Sequence, residues 1–405
     1  MATTYTNSYT GRDPSATGIQ KRTTIGDKVR NLFPGASPYL ALVANGEIKK
    51  GELTSGKGLI SKTSCDGRRA EWFTYTPPAI LFTVSNVSGS DITLSSVVGL
   101  TLKRTVINLT NMEVGRMSAI NTSTGVCAIT GIGDASFTAA INDVLLVAMP
   151  AYEEASSSPY KSMKDDDNQY NVMQICRFPV KISASAKIQP NLAGGDFFKR
   201  LKEKELTQAK RNIEASFIFG ERAYTTTTDL TADATLGDSF GTMRGLWNWA
   251  QKSFSCGGAM TPEKWIKDLD QVLSDTIDPS QKLVFLTSSR IKSDMQMWAH
   301  DRWMITKPGT YDKYGVKTDI FMTGKYEIEV MAHNLFDQGL NQSRGVIFTP
   351  EDNTYVFRTG RDLQPKNGIQ DNSLDGYEDD LIGELTLQEE TGGQNVCRVT
   401  DWFLQ

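Results

Sequence analysis

Between residues 79 and 150 the chain turns over five short β-branched runs, at 80–84, 91–98, 104–109, 126–132 and 143–148. Gly89, Gly99, Gly115, Gly125 and Gly133 punctuate them, with few helix-like runs between. Short strands between Gly turns bury an apolar face by pairing antiparallel and curling, so the stretch predicts a self-contained small barrel or sandwich. Its flanks are extended. Residues 68–76 (Arg68, Arg69, Ala70, Glu71, Trp72, Phe73, Thr74, Tyr75, Thr76) have strand-forming aromatic and β-branched content and stop at Pro77-Pro78, which predicts an ascending strand. After a polar loop from Glu153 to Asp167, residues 170–188 alternate through Phe178, Val180, Ile182, Ala184, Ala186 and Ile188 as a returning strand. The β module is thus an insertion.

Downstream the period changes. Asp196 is placed as an N-cap, Phe198, Leu201, Leu206, Ala209, Ile213 and Phe217 form a helical stripe, and Gly220 closes it. At 1.5 Å per residue, about 24 residues make a rod of roughly 36 Å, long enough to be the subunit's backbone. A mixed region follows the Thr-rich loop 225–235. Thr261 and Pro262 start a helix carrying Trp265, Leu269, Val272 and Leu273; Leu283 to Leu286 reads as a buried strand; Ser288 to Trp303 is helical. Further strands are predicted at 326–331, 345–349, 354–358, 381–387 and 396–404. The class is α+β. At the other end, residues 1–24 are polar and small, an arm that orders only against something else. Leu32, Phe33 and Tyr39 to Val43 follow, broken by Pro34, Gly35 and Pro38.

Composition removes several function classes. A chain of 405 residues has room for two or three domains of roughly 150 residues each. Its 43 basic and 47 acidic residues leave a net charge of −4, without the footprint of a protein that grips nucleic acid through many phosphates. Contact with DNA is expected to be weak or local. The longest apolar run, Val144 to Met149, is far short of the roughly 20 residues that span a bilayer, so no membrane partner is expected. Met1 to Thr10 has neither a basic head nor an apolar stretch, which points to the cytoplasm. Five scattered cysteines with no CxxC pair read as free thiols.

The sharpest catalytic pattern is Gly237-Asp238-Ser239-Phe240-Gly241, which fits the GxSxG nucleophile elbow, with His300 and His333 downstream as bases. A soluble serine hydrolase is therefore the rival reading, although the elbow needs a buried strand where Thr225 to Thr235 is polar. Gly51 to Gly58 nearly spells a phosphate loop, but Gly58 replaces the Ser or Thr that holds magnesium. Asp165, Asp166 and Asp167 are adjacent rather than alternate, and two histidines are too few for a His-rich metal site. No catalytic, metal or cofactor residues are assigned. The charged face between Lys199 and Glu221 reads as solvated, or as a surface that meets neighbours in an assembly. A third reading, a β-rich tail or receptor-binding protein, rests on the insertion alone.

The chain resembles the major capsid proteins of tailed double-stranded DNA bacteriophages, in a subgroup whose extended loop carries a β-rich insertion. Asn31 to Leu42 resembles that family's arm, Glu71-Trp72 its ascending strand, and Ala151 to Glu154 with Asn171 to Cys176 the exit of its insertion. Gln208, Arg211, Ile213-Glu214 and Gly220-Glu221-Arg222 stand in the spacing of its spine, and Gly241 to Trp247 and Asp380 to Glu389 fit as well. The resemblance implies a Hong Kong 97-like fold: an N-arm at 1–60, an extended loop at 61–188, a peripheral domain with the spine helix at 189–254 and 361–405, and an axial domain at 255–360. It implies self-assembly through hexamers and pentamers into an icosahedral head, made in the host bacterial cytoplasm around weakly held double-stranded DNA. A portal is an implied partner, and so is a separate scaffolding protein, the latter because only about 25 residues precede the arm.

Burial supplies the candidate contacts. Leu32, Phe33, Tyr39, Leu40, Trp72, Phe73 and Tyr75, with Arg68 and Arg69, lie on segments that offer no compact core of their own, so neighbouring copies are expected to cover them. Deleting residues 1–45 is then expected to abolish particles and leave the α/β part folded.

Overall fold

A 23-residue helix, Phe197–Phe219, lies against two β-sheets. The computed structural model describes residues 38–43, 48–49, 52–53, 60–75, 80–89, 91–97, 100–133, 136–154, 156, 166–188, 197–224, 240–273, 277–278, 280–302, 307–308, 318–370, 373 and 375–403. Asp196, the expected N-cap, falls outside these residues, as do Leu32 and Phe33. The helix buries Phe198, Ala209, Ile213, Phe217 and Ile218, while Leu201 and Leu206 are only half-buried. Gly220 ends it by necessity, since a Cβ there would stand 2.6 Å from the Met243 carbonyl oxygen. The charged face is not all solvated: Glu214 is buried within the subunit.

The first sheet orders Gln174–Ser183, Gly376–Glu389, Asn353–Arg358 and Ser61–Cys65, with Gln364–Lys366 also paired to Gly376–Glu389. The strand expected at 381–387 begins five residues earlier. The added stretch carries Glu378, Asp379 and Asp380, whose charges Lys181, Lys202 and Arg177 neutralise. The expected single returning strand is two strands and a helix. Asp167–Val172 pairs with Arg69–Thr74, Gln174–Ser183 pairs with Gly376–Glu389, and the alanine-rich end folds as the helix Ala184–Ile188.

The second sheet has seven strands, in the order Lys252–Ser255, Cys397–Thr400, Gly345–Phe348, Leu283–Thr287, Glu327–Ala332, Thr318–Met322 and Lys307–Pro308. It is the wall between two cores. Val284, Leu286, Val346 and Phe348 face the spine-helix side, while Leu283, Phe285 and Ile347 face the helices Pro262–Leu273 and Ser289–Arg302. The Thr261 hydroxyl accepts from the Lys264 amide at 3.3 Å, the capping arrangement that Thr261-Pro262 predicts.

The insertion is a closed six-stranded barrel, ordered Val144–Pro150, Leu81–Ser88, Asp91–Leu94, Val126–Gly131, Val114–Ile120 and Arg104–Asn108. Its core, including Phe82, Val84, Met117, Cys127 and Leu145, is separate from the other two. Val114–Ile120 is a sixth strand where the sequence shows a Gly break. Gly115 serves packing there, because a Cβ would come within 2.8 Å of the Phe137 ring. Among the described residues no helix is long and apolar enough to cross a membrane. Short N-terminal helix, barrel-bearing ribbon, long helix and mixed sheet together make an α+β layout.

Candidate functional site

The ribbon of Arg69–Thr74 and Asp167–Val172 flanks the barrel on both sides in sequence and presents two unlike faces. Strand alternation puts Ala70 and Trp72 on the inner face, both buried, and Trp72 packs on Trp249 with ring centroids 5.6 Å apart. On the outer side Phe73 is 72% exposed and Tyr75, just past the strand, 60%. The root is held by polar contacts. Buried Asn171 donates from Nδ2 to the Leu387 and Arg244 carbonyls at 2.6 and 3.0 Å, and the Thr74 hydroxyl donates to the Glu390 carbonyl at 2.8 Å. Arg68 reaches the Tyr224 hydroxyl at 3.4 Å, and Arg69 lies 5.0 Å from the Tyr170 ring centre while pairing with Glu71 at 3.8 Å.

Burial therefore divides the sequence candidates. Tyr39 and Leu42 are buried on the short helix Pro38–Val43, contrary to the expectation that this segment finds no core. Tyr39 packs on Phe217 and Phe348 at 5.9 and 5.7 Å, and its amide donates to Glu214 Oε1 at 2.6 Å. Burial, then the carboxylates of Glu389 and Glu214, pushes its phenol far above the usual tyrosine value. Leu40 is half-buried against the same core. Trp72 likewise belongs to the subunit's own interior. Phe73 and Tyr75 remain outward-facing, with Arg68 and Arg69 exposed beside them. Strand parity separates Trp72 from Phe73 in sequence; the partners Trp249, Phe217 and Phe348 leave no such signal.

The catalytic motif gains no structure-based support. Ser239 lies outside the described residues, and Gly241 pairs with Tyr224 in a two-stranded ladder. His333 is buried, with Nδ1 accepting from the Leu335 amide at 3.0 Å and Nε2 3.2 Å from Glu214, so it faces core rather than a cleft. The His300 side chain lies outside the described set. A groove of about 290 Å³ between the spine helix and Gln174–Phe178 holds Cys176. Burial pushes that thiol up to about 11, and it donates to the Gly383 carbonyl, so it is no thiolate nucleophile. What the surface offers is contact.

The family model of the SU10 major capsid protein matches residues 10–401. No curated protein sequence matches. Among solved structures, the capsid of a native GTA particle is 10% identical, with 98% of this chain and 100% of that chain covered and a TM-score of 0.44. A chain of Mycobacterium phage Cain is 8% identical over 87% of this chain and 94% of its own, with a TM-score of 0.42. The virus-like particle from Pyrococcus furiosus is 8% identical over 84% and 90%, with a TM-score of 0.35.

Proposed function

This chain belongs to the SU10 major capsid protein family, whose members are structural components of the virion, and we propose that its copies tile an icosahedral phage head as hexamers and pentamers. The head encloses double-stranded DNA and is assembled in the host bacterial cytoplasm with a portal and a separate scaffolding protein. Residues 1–60 act as the N-arm and 61–188 as the extended loop. Residues 189–254 with 361–405 form the peripheral domain, and 255–360 the axial domain.

One observation carries the reading beyond the family match: the ribbon's outer face presents Phe73 and Tyr75 at 72% and 60% exposure. Exposed aromatic side chains cost solubility unless another molecule covers them. Identical copies offer identical cover, and such contacts close into rings and shells when the geometry permits. Arg68 and Arg69 flank these rings as polar rim. Electron microscopy of the protein, expressed with and without a candidate scaffolding protein, tests the reading. Closed shells are expected; a chain that stays monomeric at high concentration in both cases would refute it.

A further inference from the structure

Arginines from five separate stretches of sequence gather where the ribbon, the end of the spine helix and the seven-stranded sheet meet. Arg69 and Arg222 both lie on Tyr170, 5.0 and 4.0 Å from its ring centre, and Arg222 also donates to the Tyr170 carbonyl at 2.7 Å. Arg244 rests on Trp249 at 4.5 Å and donates from Nε to the Asn248 carbonyl at 2.8 Å. Arg344 and Arg398 lean on Trp247 at 5.7 and 6.0 Å. Aromatic faces thus hold the guanidinium planes, which fixes their orientation at little further entropic cost.

These charges are poorly compensated. Burial, and then the positive charges of Arg222 and Arg398, lowers the pKa of Arg244. Among the described residues, Arg222, Arg244, Arg344 and Arg398 make no ion pair. Only Arg69 has a carboxylate, the exposed Glu71 at 3.8 Å. On a chain of net charge −4 this is a local excess of one sign.

We propose that the cluster of Arg222, Arg244, Arg344 and Arg398 is a binding site for the phosphodiester backbone of double-stranded DNA. Guanidinium forks match phosphate oxygens two at a time, and a duplex repeats its phosphates closely enough to engage several forks together. A carboxylate of a second copy would engage one fork at a time, whereas a duplex presents a row of phosphates to several. Contacts to the backbone carry no base information, so binding is independent of sequence. The inference rests on the shell reading only for the source of the DNA.

Fluorescence anisotropy of the full-length protein with a labelled duplex of about 20 base pairs, between about 50 and 200 mM salt, tests it. The wild type should bind with a steep salt dependence. The double variant Arg344→Gln/Arg398→Gln should bind roughly tenfold or more weakly, with a log–log salt slope shallower by about two. Lysine at both positions should restore most of the slope, which loss of fold would not allow; Arg222→Gln, tested alone, should weaken binding and reduce the slope by about one. Equal affinity and slope in wild type and the glutamine variants overturns the proposal, as does a wild type without salt-dependent binding. A double variant that binds DNA like wild type but no longer forms shells also overturns it, and assigns the arginines to a contact between copies. Failure of the wild type to form shells strikes the proposed function instead, and leaves the arginine site standing if DNA binding persists.

Discussion

Trp72 and Trp249 pack with ring centroids 5.6 Å apart and planes inclined at 53°, which fastens the barrel-bearing ribbon to the main core. Their neighbour Phe73, one residue along the strand, points the other way and is 72% exposed. Adjacent positions therefore serve different ends. Trp72→Ala should destabilise the subunit by about 3–5 kcal/mol, the usual cost of emptying a large core site. Phe73→Ala should change subunit stability by no more than about 0.5 kcal/mol, yet weaken particle formation. Urea denaturation of dissociated subunits and sedimentation of assembled material measure the two effects. Similar stability losses from both substitutions would show that the division by strand face is wrong.

Glu389 ends the long strand Gly376–Glu389 with no exposure to solvent, accepting from the Thr391 hydroxyl and the Gly393 amide. Burial raises its pKa to about 7; those hydrogen bonds oppose the rise and nearby Asp352 adds to it. Asp352 is itself raised by burial, and Tyr39 faces the same region. A carboxyl that stays protonated in the native state while the unfolded chain ionises binds more protons when folded, so stability falls as pH rises through that window. From about 4.5 to about 7 the loss is about 3 kcal/mol, at about 1.4 kcal/mol per pH unit, and it levels off above. Glu389→Gln should flatten this slope. Denaturant titrations from pH 4.5 to 8 would expose a mistake, either as no slope in wild type or as the same slope in the variant.

The barrel has a core of its own and closes on itself, Val144–Pro150 pairing with both Leu81–Ser88 and Arg104–Asn108. Its entry and exit lie side by side, since the Val147 amide donates to the Ile80 carbonyl at 2.8 Å. Residues 80–152, excised, should give a β-type circular dichroism spectrum and a cooperative melt, because no unpaired edge is created by the cut. Within it, Gly115→Val should cost at least about 1–3 kcal/mol by forcing a side chain into Ile129 and Phe137. An excised segment with a coil spectrum would mean that the parent sheets hold the barrel closed.

Local chemistry made part of this architecture legible. Thr261-Pro262 announces a helix, the spine's stripe is regular from Phe198 to Phe217, and Gly89 and Gly125 sit at turns with positive φ. Where a residue serves a distant partner, local chemistry misleads. Gly115 reads as a turn but lies in a strand, because Ile129 and Phe137 approach too closely for a side chain. The strand begins before the predicted 381, through Asp379 and Asp380, where Lys202 and Arg177 from other elements balance the acidic charge. The burial of two of the contact candidates was hidden for the same reason. Tyr39 and Trp72 look homeless beside their sequence neighbours, and their cores come from Phe217, Phe348 and Trp249. The arginine cluster, assembled from the end of the spine helix to the last strand Cys397–Thr400, leaves no pattern in sequence at all.

The helix Pro38–Val43 changes what an arm deletion should do. Tyr39 and Leu42 are almost wholly buried against the spine and the mixed sheet, and the Leu42 carbonyl accepts from the Ile60 amide at 3.3 Å. Removing residues 1–45 therefore removes core, and leaves Glu214 buried without the Tyr39 amide that donates to it. Losing two large buried side chains should cost about 4–8 kcal/mol, comparable with the whole stability of many domains, so this deletion should unfold the subunit rather than merely stop assembly. The Tyr39 hydroxyl itself is a separate matter. It is buried with no hydrogen-bond partner among the described residues, so Tyr39→Phe discards an unsatisfied polar group while keeping the ring on Phe217 and Phe348. That variant should match or exceed wild-type stability by up to about 1–2 kcal/mol, whereas Tyr39→Ala should lose about 3–5 kcal/mol. Denaturant melts of the two variants, run beside the deletion, decide the point: a destabilised Tyr39→Phe would reveal a partner for the hydroxyl, and a stably folded deletion would show that Tyr39 and Leu42 are not part of the folding core.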